Sequence, residues 1–167
     1  MTIADSALTN PEPEPLPGSV HSPAFSLNEV FQERMHKAQG LHGHLHLVVR
    51  CEQLPHMEGN REEIGRLFDS MISMMVNPVP EGSKLFLHID CEEVSLVSGV
   101  KHALAEKNAF QIRFYTNSAI DEAWKEVHAQ ALLRCQLIAA GHHGSFTLNH
   151  LRQTGCLFSL TIPGKIV

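Results

Sequence analysis

Apolar residues at Leu27, Val30, Phe31 and Met35 recur at the spacing of one helical face, and Ser26 with Glu29 three positions on makes a capping box before them. The pattern predicts a first helix opening at Ser26. After Gly40 the chain alternates as LHGHLHLVV, which predicts a strand over 43–51, and Gln53 to Gly59 reads as a turn. Ile64, Leu67, Phe68, Met71, Ile72 and Met75 form the clearest apolar stripe, spaced for a helix that packs on a sheet. Pro78, Pro80 and Gly82 stop that helix and launch a strand from Leu85 to Ile89. Residues 93–107 read as an amphipathic helix in preference to a hairpin strand, and Gln111 to Tyr115 as a strand. Asp121 is placed to cap a long helix carrying Trp124, Val127, Ala131, Cys135 and Ile138, with Gly141 and Gly144 at its exit. Strands Ser145 to Asn149 and Cys156 to Ile162, joined by a loop with Gly155, close the chain. This order predicts an α/β (α+β) two-layer sandwich, a mixed and mostly antiparallel sheet covered on one face by helices.

Residues 1–24 break that pattern. Pro11, Pro13, Pro15 and Pro17 alternate with acidic or apolar residues, so the segment is expected to be a flexible lead-in to a single domain over 25–167. At 167 residues and 43% hydrophobic, the chain has material for a sizeable core. Thirteen Lys and Arg against eighteen Asp and Glu give a formal charge of −5, which argues against a general nucleic-acid footprint. Four cysteines without a C-x-x-C pair read as reduced thiols in a cytosolic protein, and no apolar run approaches a membrane span. The expectation is a cytoplasmic protein that binds neither nucleic acid nor membrane.

Three stretches then resemble a known family: FSLNEVFQERM; LHLVVRCEQLPHMEGNREEIGRLFDSMISMMVNPVPEGSKLFLHI; and LLRCQLIAAGHHGSFTLNHLRQTGCLFSLTIPG. From about Phe25 to Pro163 the chain is similar to the ATP-binding domain of sensor histidine kinases, in the ATPase class shared with gyrase and Hsp90-type chaperones. The resemblance implies that the helix after Gly59 and Asn60 faces a nucleotide. Its asparagine positions fall on Ser70 and Met74, and a methionine thioether is a poor partner for magnesium, which wants oxygen. The family's Asp-x-Gly-x-Gly loop falls on TNSAI, so Thr116 replaces the adenine-reading aspartate while Ser118 and Ile120 replace glycines. The glycine-rich phosphate lid falls on DEAWKEVHAQALLRCQLI, which has no glycine. Ser70, Met74, Asn77, Thr116, Ser118 and Ile120 are therefore expected to be vestigial pocket positions in a degenerate domain, with no catalytic residue and no cofactor.

The leading expectation is a non-catalytic signalling adaptor or regulator related to two-component kinases. Its partner would be a protein, such as a kinase helical module or a receiver domain, or a second copy in a homo-oligomer. One alternative is a divergent ATP-binding or histidine kinase/phosphotransfer protein using Thr116, Asn117 and Asn77. His36 lacks a phosphoacceptor context, and its ordinary reading is a surface histidine. A second alternative is metal-responsive binding through His42, His44 and His46, which share one face if all three are in a strand. His142 and His143 in GHHG read as a structural turn. Cys135 reads as a packed thiol, since His128 is two helical turns away, and Asp90, Glu92 and Glu93 as a solvated acidic patch.

Overall fold

A computed structural model describes residues 23–43, 46–80, 82–95, 108–151 and 155–165. The elements run β1 (Ala24–Ser26), α1 (Leu27–Leu41), β2 (His46–Cys51), β3 (His56–Glu58), α2 (Arg61–Val76), β4 (Lys84–Ser95), β5 (Asn108–Thr116), α3 (Glu122–Gly141), β6 (Ser145–Leu151) and β7 (Gly155–Pro163). Five strands form one sheet in the order β2-β4-β5-β7-β6. β2 is parallel to β4, and every other neighbouring pair in this sheet is antiparallel. The helices cover one face, giving the two-layer sandwich with a mixed, mostly antiparallel sheet that the chain pattern predicts.

The expected caps form. Ser26 Oγ accepts from Glu29 N–H, and Asp121 Oδ1 accepts from Trp124 N–H at 2.7 Å, each meeting a helix-end donor that has no intrahelical partner. Odd-numbered residues Leu85, Leu87 and Ile89 of β4 and even-numbered Phe110, Ile112 and Phe114 of β5 point into the helix layer. There Phe31 of α1, Phe68 of α2 and Phe114 meet with ring centroids 5.4 to 6.2 Å apart, two of the three pairs edge-on. Their neighbours along each strand form the open face, where Asp90 and Arg113 pair across the β4–β5 ladder at 2.7 Å.

Arg34 is a charged residue inside the α1–α2 contact. Its guanidinium lies over Gly65, where a Cβ would collide with it, and reaches Asp69 at 3.1 Å and Glu62 at 3.3 Å. A glycine inside a helix weakens it, so Gly65 is the concession that lets this ion pair form.

Three expectations change. The turn over 53–59 contains β3, which pairs with β1 in a separate two-stranded ladder. β4 continues to Ser95, so residues 93–95 are strand rather than helix, paired with Phe110, Ala109 and Asn108. β2 begins at His46 rather than at residue 43. The proline-rich stretch up to residue 22, the rest of the expected helix at 96–107, and His44 lie outside the described residues.

Candidate functional site

The positions singled out on α2 follow from how that helix is set. Asn60 caps it, its Oδ1 accepting from Glu62 N–H at 3.1 Å and Glu63 N–H at 3.2 Å. The apolar stripe then turns toward the sheet, and of the face that the family resemblance assigns to nucleotide it takes Met74 with it. Met74 is fully buried, Ser70 half-buried, and Asn77 stands exposed at the C-cap with its N–H bonded to Ser73 O. Of these three positions, only Met74 reaches the core.

β5 delivers the loop carrying Thr116, Ser118 and Ile120, all nearly buried. Ser118 Oγ lies 2.6 Å from Met75 O, and because a carbonyl only accepts, the serine hydroxyl donates. The Thr116 hydroxyl therefore donates to Ser118 Oγ at 3.1 Å, and it accepts from Ser118 N–H at 3.2 Å. Both hydroxyls are committed, and the loop is tied to the last turn of α2. Asn117 is committed as well: it accepts from Phe86 N–H at 2.9 Å and donates to Lys84 O at 3.0 Å. Its amide stands in for one more step of the β5 ladder along β4.

Only residues 117–121 connect β5 to α3. Within that connection and the first turn of α3, Ile120 and Trp124 are buried and belong to the same core as Met71, Met74 and Met75. Trp124 packs on His128 with ring centroids 4.5 Å apart, and burial holds the His128 imidazole below its ordinary value. Trp124 Nε1 is buried and has no hydrogen-bond partner among the described residues.

α2 is also held at its other end. α3 closes with Gly144 N–H on Ala139 O at 2.8 Å and His143 N–H on Ala140 O at 3.0 Å, while His143 takes the left-handed φ of 60°. That turn directs His142 back to the start of α2. Asn60 N–H donates to His142 Nε2 at 3.1 Å, and Nδ1 lies 2.8 Å from Ile138 O, so the ring is neutral with its proton on Nδ1. Gly59, with φ of 146°, gives it room, since a Cβ there would collide with the imidazole. GHHG is thus a structural turn whose first histidine clasps a helix cap distant in sequence. That partner could not be read from spacing, and neither could the Met75 carbonyl.

The remaining candidates stay apart. His42 and His46 lie on opposite sides of the undescribed His44, and among the described residues no three His, Cys, Asp or Glu side chains converge to hold a metal. Cys135 donates to Leu67 O across the α2–α3 contact at 3.7 Å, and burial pushes its thiol up to about 12, the opposite of what a nucleophile needs. A shallow groove of about 330 Å³ lies between α3 and β6, lined by Ile120, Ala129, Leu132, Leu133 and Leu148 among others. Asp90 and Glu92 are tied to Arg113, and His36 is exposed on α1. No helix among the described residues is long and apolar enough to cross a membrane.

No family model matches the chain, and no curated protein matches it in sequence. Solved structures do match in fold. A mycobacterial sensor histidine kinase, MprB, superposes with a TM-score of 0.64 at 10% identity, over 89% of this chain and 100% of that one. The nucleotide-free catalytic domain of histidine kinase ThkA gives 0.61 at 14% identity, over 87% and 98%. The ATP-binding domain of PrrB from Mycobacterium tuberculosis gives 0.59 at 18% identity, again over 87% and 98%. At such identities the likeness is one of fold, and it spans those domains end to end: this chain has the two-layer fold of histidine-kinase ATPase domains.

Proposed function

We propose that this domain keeps a histidine-kinase ATPase fold for protein contact and does not turn over nucleotide. The observation that carries this reading is the bond from the Ser118 hydroxyl to the Met75 carbonyl, which closes the Thr116 loop onto α2 where the family resemblance puts adenine. Around it Met74, Ile120 and Trp124 supply apolar surface in place of oxygen ligands for magnesium. The adaptor or regulator role goes with a cytoplasmic setting and a protein partner, either a kinase helical module, a receiver domain or a second copy.

Thermal unfolding with and without millimolar Mg-ATP tests it. A ligand present at about 100 times its dissociation constant adds about 2.7 kcal/mol to stability, which moves the midpoint by several degrees. The expected result is no magnesium-dependent shift.

A divergent ATP-binding or phosphotransfer protein is the second reading, favoured by the full-length likeness to domains described as catalytic or ATP-binding. A magnesium-dependent upward shift in midpoint supports it and overturns the first. No geometry among the described residues favours the metal-responsive alternative.

A further inference from the structure

His142 is the one buried histidine among the described residues, its side chain 5% exposed. Its ring nitrogens have opposite duties. Nδ1 carries the proton and donates to Ile138 O, while Nε2 is bare and receives Asn60 N–H at 3.1 Å, across 82 residues of sequence. Acid reverses the second duty, because an imidazolium is a donor at both nitrogens and has no lone pair left to accept with. Two N–H groups would then face each other where one hydrogen bond stood. A second acceptor stands beside them: Glu63 Oε2 lies 3.9 Å from the same Nε2, too far for a hydrogen bond to the neutral ring. The Glu63 side chain is 47% exposed and makes no other ion pair among the described residues, so a change of rotamer can bring its carboxylate into range.

We propose that His142 is a pH-operated latch on α2: neutral, it holds Asn60 N–H and fixes the start of the helix; protonated, it releases that N–H and takes Glu63 instead. The step is one proton gained from solvent at Nε2 and one hydrogen bond exchanged for another. The surrounding charges leave Glu63 as the group that answers. Glu62, in the same first turn of α2, is held by Arg34 and Arg66, and Glu58 of β3 pairs with Lys165 beyond β7. On α3 the last turn has no charged side chain, and His143 after it is exposed. The protonated ring keeps Ile138 O at Nδ1 and gains Glu63 at Nε2, so neither donor is left unmet in the buried site. The negative end of α3, where His142 sits, suits a cation as well. Release frees the turn at Gly59, whose φ of 146° and missing Cβ are shaped around the imidazole. The bond from Ser118 to Met75 O then remains as the tie at the far end of α2. The latch lies in the contact between α2 and α3 and holds under either functional reading.

Nitrogen-15 NMR of the full chain, titrated from about pH 8 to about pH 5 across the ordinary imidazole range, tests the proposal, with circular dichroism following the fold. His142 Nε2 is expected to pass from bare to protonated nitrogen. With the same midpoint, the Asn60 amide proton should move upfield, as an amide does on losing its acceptor. Glu63→Gln keeps an acceptor oxygen without the charge, at a half-exposed position that leaves folding intact, and should lower that shared midpoint by about 0.5 pH unit, the worth of a partly exposed ion pair. His143→Gln should leave the midpoint where it is. An Nε2 that stays bare for as long as the fold persists overturns the proposal. So does an Asn60 amide that does not respond while Nε2 is protonated, or a midpoint that Glu63→Gln leaves unmoved.

Discussion

His142 has every polar valence used: Nδ1–H on Ile138 O and Nε2 receiving Asn60 N–H. His142→Ala removes a part-buried hydrogen bond to the α2 cap and leaves a cavity where the nearly buried imidazole sat, which together cost about 1–3 kcal/mol. Urea unfolding should show that loss in free energy with little change in slope. The cysteines make a second prediction. Burial pushes Cys135 and Cys156 up to about 12, and burial with nearby Glu52 and Asp90 pushes Cys91 up to about 11. Raised thiols bind their protons more tightly folded than unfolded, so their contribution is complete below the ordinary value of 9.0 and is lost as pH climbs toward those raised values. Stability measured across that window should fall by about 1.4 kcal/mol per pH unit for each of the buried thiols Cys135 and Cys156, with a smaller, solvent-screened share from half-exposed Cys91, and Cys135→Ala should remove one buried thiol's share of the slope. Ser26 and Asp121 were legible as caps because a cap and its donor are three residues apart. His142 and Ser118 were not, because their partners are brought to them by the fold.

The helices and the strands of the central sheet follow from periodicity, which reports the face an element buries. β1 and β3 escape it because three residues carry no period, and β4 beyond Ile89 escapes it because Asp90, Glu92 and Glu93 make a strand look like a surface segment. That stretch is held by Arg113, which bonds Asp90 and Glu92 from the neighbouring strand. The candidate site was legible as a set of replacements at Met74, Thr116, Ser118 and Ile120, and their closure against α2 was not. Thr116→Asp tests that closure. In an open cleft a carboxylate faces water, whereas in the lock beside Ser118 it is buried beside a carbonyl and should cost about 2–4 kcal/mol or more. A variant as stable as the parent would mean that the loop stands open.

Taken together, the layers place the helices over one face of the sheet and leave the other to Phe86, His88, Tyr115 and the Asp90–Arg113 pair. Among the described residues, the open sheet face with its β2 edge and the groove between α3 and β6 are left uncovered. The helices between them bear on how the molecule moves. Asn60 at the start of α2 is held by His142, and Met75 near its end by Ser118. A segment fastened at both tips cannot fray, the ordinary route by which helical amides trade their hydrogens with solvent. The amides of α2 should therefore exchange only through unfolding of the entire domain, at one common and slow rate.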